Sequence, residues 1–129
     1  MRALAPPDPE AWRRRADWFW RAHDANAGPA PRSADTRAEL LIGELEIAFC
    51  AGAWAAVVLL AWALVEACER ARAAVDDAPP RPEVDWLRER RNALAHAGSG
   101  DPPDEATLES WAQGAVRTAF AALGAGAWR

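Results

Sequence analysis

Residues 47–65 form a run of 19 residues without a charge, and any fold of this chain has to dispose of that stretch. A membrane-spanning helix needs about 20 predominantly apolar residues. Three features weigh against that reading. Seven of the 19 are Ala and one is Gly. The flanking charges, Glu44, Glu46, Glu66 and Glu69, are acidic, with no basic cluster close by to set an orientation. Gly52 also stands where the run could divide into two helices. The run is therefore read as helix buried on all sides in a bundle, or as helix that also lines a dimer interface, with no membrane partner.

The rest of the chain agrees with a helical reading. Ala is abundant, Val and Ile are few and Tyr is absent, a mixture that favours helix over sheet. A chain of 129 residues fits one domain and buries enough surface to fold without a metal or a disulfide. The expectation is an all-α, antiparallel helical bundle in a single domain, 1–129, with four core helices over 33–124 and an N-terminal helix over 8–25. Asp8 is a good N-cap with Pro9 at the first helical position. Trp12, Ala16 and Phe19 or Trp20 then recur at helical spacing. Gly28 to Pro31 form a linker. Thr36-Arg37-Ala38-Glu39 fits a capping box opening a second helix, with Leu41, Leu45, Ala48, Phe49 and Gly52 on one face. A third helix covers about 53–75. A single Gly in a helix costs only about 1 kcal/mol relative to Ala, so the sequence leaves a break at Gly52 open. A fourth helix is expected over 83–97. A fifth, over 104–123, carries a stripe of Leu108, Trp111, Ala115, Ala119 and Leu123.

Charge and cysteine content narrow the function classes. The net charge is −4, whereas proteins that coat nucleic acid non-specifically are usually basic, so any nucleic-acid contact is local. All 15 basic residues are Arg. Genome composition and selection for bidentate phosphate contacts both account for this. Cys50 and Cys68 have neither the spacing nor the companions of a metal site or disulfide framework. They read as buried free thiols of a cytoplasmic protein. Trp54 and Trp62 are expected in the core; Trp18, Trp20 and Trp128 at the surface or an interface. There is no Gly-rich phosphate loop, nucleophile elbow or metal-ligand pattern, and no cofactor is expected.

The fourth helix carries the one constellation with chemistry in it. At 100° per residue, Val84, Leu87, Leu94 and Ala95 gather on one arc, with Arg91 in its middle. An Arg in an apolar stripe has to be paired, or lie where its head escapes the core. Asn92 and His96 are four apart and share an adjacent face. Arg91 and His96 are about 140° apart, within reach of a turned Arg side chain. Glu66, which ends the uncharged run, is either a partner for Arg91 or the first exposed residue of its turn. A helix-terminal His is most often a surface residue or a C-terminal cap.

The run Trp86-Leu87-Arg88-Glu89-Arg90-Arg91-Asn92-Ala93-Leu94-Ala95-His96 resembles the signature of HEPN domains: Arg, four to six residues, then His, often with Asn directly after the Arg. Arg91 followed by Asn92 is the better match; Arg90 also fits the spacing. Upstream, residues 46–66 look like the family's paired core helices, with a turn near Gly52. The resemblance covers about 36–123 and leaves the N-terminal helix as an addition. It implies a bundle that forms a homodimer and brings two Arg–His motifs into one cleft. Many such proteins are metal-independent endoribonucleases of toxin–antitoxin or defence systems; others are non-catalytic binding modules. By this resemblance Arg91 and His96 are the catalytic pair, supported by Asn92 and Glu66. RNA is then the substrate, and a cognate antitoxin such as a nucleotidyltransferase a candidate partner. In the nucleotidyltransferase-paired branch a Tyr commonly follows the His; here Ala97-Gly98-Ser99 follows, which puts regulation through that Tyr in doubt.

The residue types suit that chemistry. Metal-free RNA cleavage uses the substrate's 2′-hydroxyl, a His can move the protons, and an Arg can stabilise charge on the phosphate oxygens. Arg88 and Arg90 are either additional phosphate contacts or part of a solvated face. Two functions are thus carried forward: a HEPN-type endoribonuclease, and a non-catalytic HEPN-like adaptor in a toxin–antitoxin or defence complex. The intact Arg-Asn-x-x-x-His favours the first and the acidic charge the second.

Overall fold

The computed structural model describes residues 7–27, 36–73, 81–96 and 100–124. Among them it has five α-helices and no strand: α1 Pro9–Ala27, α2 Thr36–Ala51, α3 Trp54–Ala73, α4 Pro82–Ala95 and α5 Glu105–Gly124. Local chemistry explains the ends. Asp8 Oδ1 accepts the Ala11 N–H at 2.8 Å, and Asp104 Oδ1 accepts the Thr107 N–H at 2.7 Å, so a carboxylate caps each of α1 and α5. α4 opens on Pro82 behind Arg81, without a side-chain cap. α2 has begun by Thr36, so its cap, like the 28–31 linker and Trp128, lies outside the described residues.

The break at Gly52 is real. Gly52 has φ +75°. Its N–H donates to the Phe49 carbonyl at 3.0 Å, and the Ala53 N–H donates to the Ala48 carbonyl at 2.9 Å. This pair of bonds is a Schellman C-cap, which closes α2 on a left-handed residue that glycine adopts without a Cβ penalty. Arg15 completes the cap from α1, donating from Nη1 to the Cys50 carbonyl at 3.1 Å with its guanidinium over the Trp54 ring at 5.0 Å.

α1, α2, α3 and α5 pack as a closed ring, each against the next, and α4 lies along α3 and α5. The helix that extends beyond the family resemblance is thus an integral side of the bundle. Phe19 of α1 is fully buried, edge-on to Phe120 with centroids 5.1 Å apart. Trp18 stacks on Phe49 at 4.9 Å. Leu45, Val57, Val58, Leu64, Val65 and Val116 fill the space between.

Most of the uncharged run enters this core, Trp54 and Trp62 included, but not all of it. Ile47 and Leu59 are exposed, so the expectation of burial on all sides fails for them. No helix of the described residues is long and apolar enough to cross a membrane. Cys50 and Cys68 are both buried, and no disulfide joins them. Burial pushes the Cys50 thiol above its ordinary value, nearby Glu46 adds to this, and Arg15 partly offsets it.

Candidate active site on α4

α4 rests on the bundle through Val84 and Leu87, both buried, with Leu94 half-buried against the core. Ala95, expected on the same arc, is the last residue of α4 and is exposed. An ion pair also anchors the other end of α4, where Arg81 lies 3.8 Å from Glu69 of α3.

Three arginines leave this helix on two flanks. On the α3 side, Arg88 and Arg91 both lie over the Trp62 ring, at 5.5 and 5.4 Å from its centroid. On the α5 side, Arg90 lies between Trp86 at 5.4 Å and Trp111 at 5.2 Å. Each cation over an indole contributes about 0.5–1 kcal/mol when exposed and more when desolvated. Trp86 holds its place because Gly114 of α5 makes room for it: a Cβ there would stand 2.6 Å from the indole.

Their charge balance differs. Arg88 pairs with Asp85 at 2.9 Å, and Arg90 has Glu89 at 4.0 Å. Among the described residues Arg91 has no carboxylate partner. The expected Arg91–Glu66 pair is not formed. Glu66 is exposed and lines an open groove of about 430 Å³ with Trp62, Arg70 and Arg88. Trp62, one turn earlier on α3, takes the position beside Arg91, so the guanidinium is held by an aromatic face instead of an anion. The Nε atoms of Arg90 and Arg91 and the Nε1 of Trp62 are buried without hydrogen-bond partners.

His96 is the C-cap of α4, at φ −93° and ψ 91°, with its N–H donating to the Asn92 carbonyl at 3.0 Å. Its side chain is exposed and Asn92 is half-buried. The structure therefore brings Arg88 and Arg91 together on Trp62. It leaves His96 on the open side of the last turn, with no hydrogen bond to Arg91.

No family model, curated protein or solved structure matches this chain. Three residues that hold the site's arginines, Trp62, Trp86 and Trp111, are not among the candidate site residues read from the sequence. Trp86 and Arg90 are four apart and could have been paired on a helical wheel. Trp62 and Trp111 come from α3 and α5, and no local pattern ties them to α4.

Proposed function

We propose that this chain is a metal-independent endoribonuclease of HEPN type, acting through Arg91 and His96 supplied by each of two copies. The observation that supports this most is the state of Arg91. Its guanidinium is positioned by Trp62 and, among the described residues, no carboxylate neutralises it, five residues before an exposed His96. An arginine with only a structural role in an apolar arc would normally be paired. A phosphodiester supplies the missing anion, and guanidinium–phosphate contacts are among the stronger hydrogen bonds.

In this reading one His96 takes the proton of a ribose 2′-hydroxyl. The 2′-oxygen attacks phosphorus, the bond from phosphorus to the 5′-oxygen breaks, and the His96 of the second copy returns a proton to the leaving oxygen. The products are a 2′,3′-cyclic phosphate and a 5′-hydroxyl. Arg91 stabilises the charge that builds on the non-bridging oxygens. Asn92 supports the turn that carries His96, and Arg88 and Arg90 add phosphate contacts beside it. A toxin or defence role with a cognate antitoxin belongs to the same proposal.

The deciding experiment compares parent and His96→Ala protein, purified side by side, on RNA in EDTA. The parent should cut RNA and leave DNA intact, and the variant should be slower by about 10²–10⁴-fold. Equal activity in both, or none in either across several RNAs, overturns the proposal. The net charge of −4 favours the second reading, an adaptor that uses the same helix without cleavage, and absence of activity would leave that reading standing.

A further inference from the structure

Arg70, near the end of α3, is a wall of two cavities. One is the open groove of about 430 Å³ between α3 and α4, which it shares with Trp62, Glu66, Glu69 and Arg88. The other, of about 420 Å³, lies between α2 and α3 and is lined by Thr36, Arg37, Ala67 and Arg70. Arg70 is exposed, so its head stands in water where the two cavities adjoin.

The other charges of the groove are largely matched within the chain. Arg88 has Asp85 at 2.9 Å, and Glu69 has Arg81 at 3.8 Å. Arg70 differs. Its Nε donates to the Glu66 carbonyl of its own helix at 3.4 Å, a long bond, and among the described residues no carboxylate pairs with it. Glu66 stands four residues earlier and is exposed, yet it forms no ion pair with Arg70. The terminal nitrogens of the guanidinium are left for a ligand.

The same groove leads to Arg91. Trp62 lines it and carries Arg88 and Arg91 over its ring. Arg70 lies eight residues beyond Trp62 on α3, a rise of about 12 Å. A phosphodiester held at Arg91 belongs to a strand with an anion at every nucleotide, so it brings further phosphates with it. The groove between α3 and α4 gives them an open path that ends on an unmatched guanidinium. On the opposite flank of α4, Arg90 is held between two indoles.

We propose that Arg70 is a second phosphate-binding residue, taking a phosphate of the RNA strand that flanks the one at Arg91. This rests on the proposed function for the identity of the strand. Glu66 lies in the same groove, and its carboxylate repels the strand.

The probe is a fluorescein-labelled single-stranded octanucleotide of 2′-O-methyl RNA, which lacks the nucleophile. It is titrated with the full chain at several salt concentrations and read by anisotropy. Arg70→Gln should weaken binding about tenfold, the loss of one charge-assisted contact. It should also lower the slope of log affinity against log salt by about 0.7, the contribution of one phosphate on a single strand. Glu66→Gln should tighten binding. Arg21→Gln makes the same change of net charge on α1, at a residue paired with Asp17, and should alter neither quantity. Circular dichroism verifies that the variants keep the helical fold. The proposal is overturned if Arg70→Gln behaves like Arg21→Gln, or if Glu66→Gln weakens binding. It is also overturned if a poly-Glu peptide binds as tightly as the RNA with the same dependence on Arg70, which assigns the groove to an acidic protein. Cleavage of RNA by the parent, with binding indifferent to Arg70, overturns this inference and leaves the proposed function standing. Binding that requires Arg70, without cleavage in EDTA, removes the endoribonuclease and keeps the phosphate contact. A parent that does not bind the octanucleotide overturns the inference, and the cleavage assay then judges the proposed function by itself.

Discussion

Arg91 sits among Val84, Leu87 and Leu94 on α4, and its energetics follow from what it touches. A buried ion pair broken on one side costs about 3–5 kcal/mol. Arg91 has an aromatic face instead, a contact of about 0.5–2 kcal/mol, and Arg88 keeps a guanidinium on the same ring when Arg91 is removed. Arg91→Ala should therefore lower the urea-derived stability by no more than about 2 kcal/mol and, on the proposed function, abolish RNA cleavage. A loss above about 3 kcal/mol would mean that the guanidinium does have a buried anionic partner. His96→Ala is the companion measurement. An exposed residue past the last helical turn should leave stability within about 0.5 kcal/mol of the parent, so its effect on cleavage is read without correction for folding.

At the scale of elements, the sharpest test is the turn between α2 and α3, because two structures predict opposite signs. If the uncharged run were one continuous helix, Gly52→Ala would stabilise it by about 1 kcal/mol. In the observed turn Gly52 is left-handed, which costs a residue with a Cβ about 1–2 kcal/mol. The new Cβ would also stand 3.0 Å from Arg15 Nη1, the group that completes the cap. Gly52→Ala should thus destabilise in urea unfolding; a stabilised variant would contradict the hairpin. The start of α5 gives a pH test. Hydrogen bonds from the Thr107 side chain and backbone hold the Asp104 carboxyl below its ordinary value. A depressed carboxyl contributes stability above the ordinary range near pH 3.9, and the contribution drains away as pH falls through the folded value. Asp104→Asn keeps the acceptor and removes the charge. The stability gap between parent and variant should therefore narrow on acidification below about pH 4; a gap independent of pH would sink the assignment.

Over the whole molecule, α1 closes a ring that would otherwise leave Phe49 and Phe120 uncovered. Phe19→Ala should cost about 3–5 kcal/mol, a large part of the roughly 5–15 kcal/mol that holds a domain together. Denaturant unfolding followed by circular dichroism measures it, and a change of less than 1 kcal/mol would make α1 an appendage. Among the described residues the large exposed aliphatic side chains lie on α2 and α3, while the Arg–His turn lies at the end of α4.

Helix content, the Asp8 cap, the positions of all five helices to within a few residues and the burial of Trp54 and Trp62 were legible in the sequence. They depend on spacing, capping chemistry and propensity within one or two turns of chain. That Arg91, Asn92 and His96 stand together in the last turn and cap of one helix was legible for the same reason, as a spacing. The sequence left Gly52 undecided, since its cost inside a helix is small and the cap that closes α2 there is completed by Arg15, 37 residues away. It offered Glu66 as a partner for Arg91, or as the first exposed residue of its turn, because Glu66 ends the uncharged run; which face of α3 meets α4 cannot be read from that, and Glu66 is exposed. Tertiary packing put Trp62 beside Arg91 instead, placed Arg90 between indoles from two helices and made α1 a side of the bundle. It also left Leu40, Ile47 and Leu59 in water. Each of these depends on which helix lies against which, and a periodic apolar pattern says that a face is buried without saying by what.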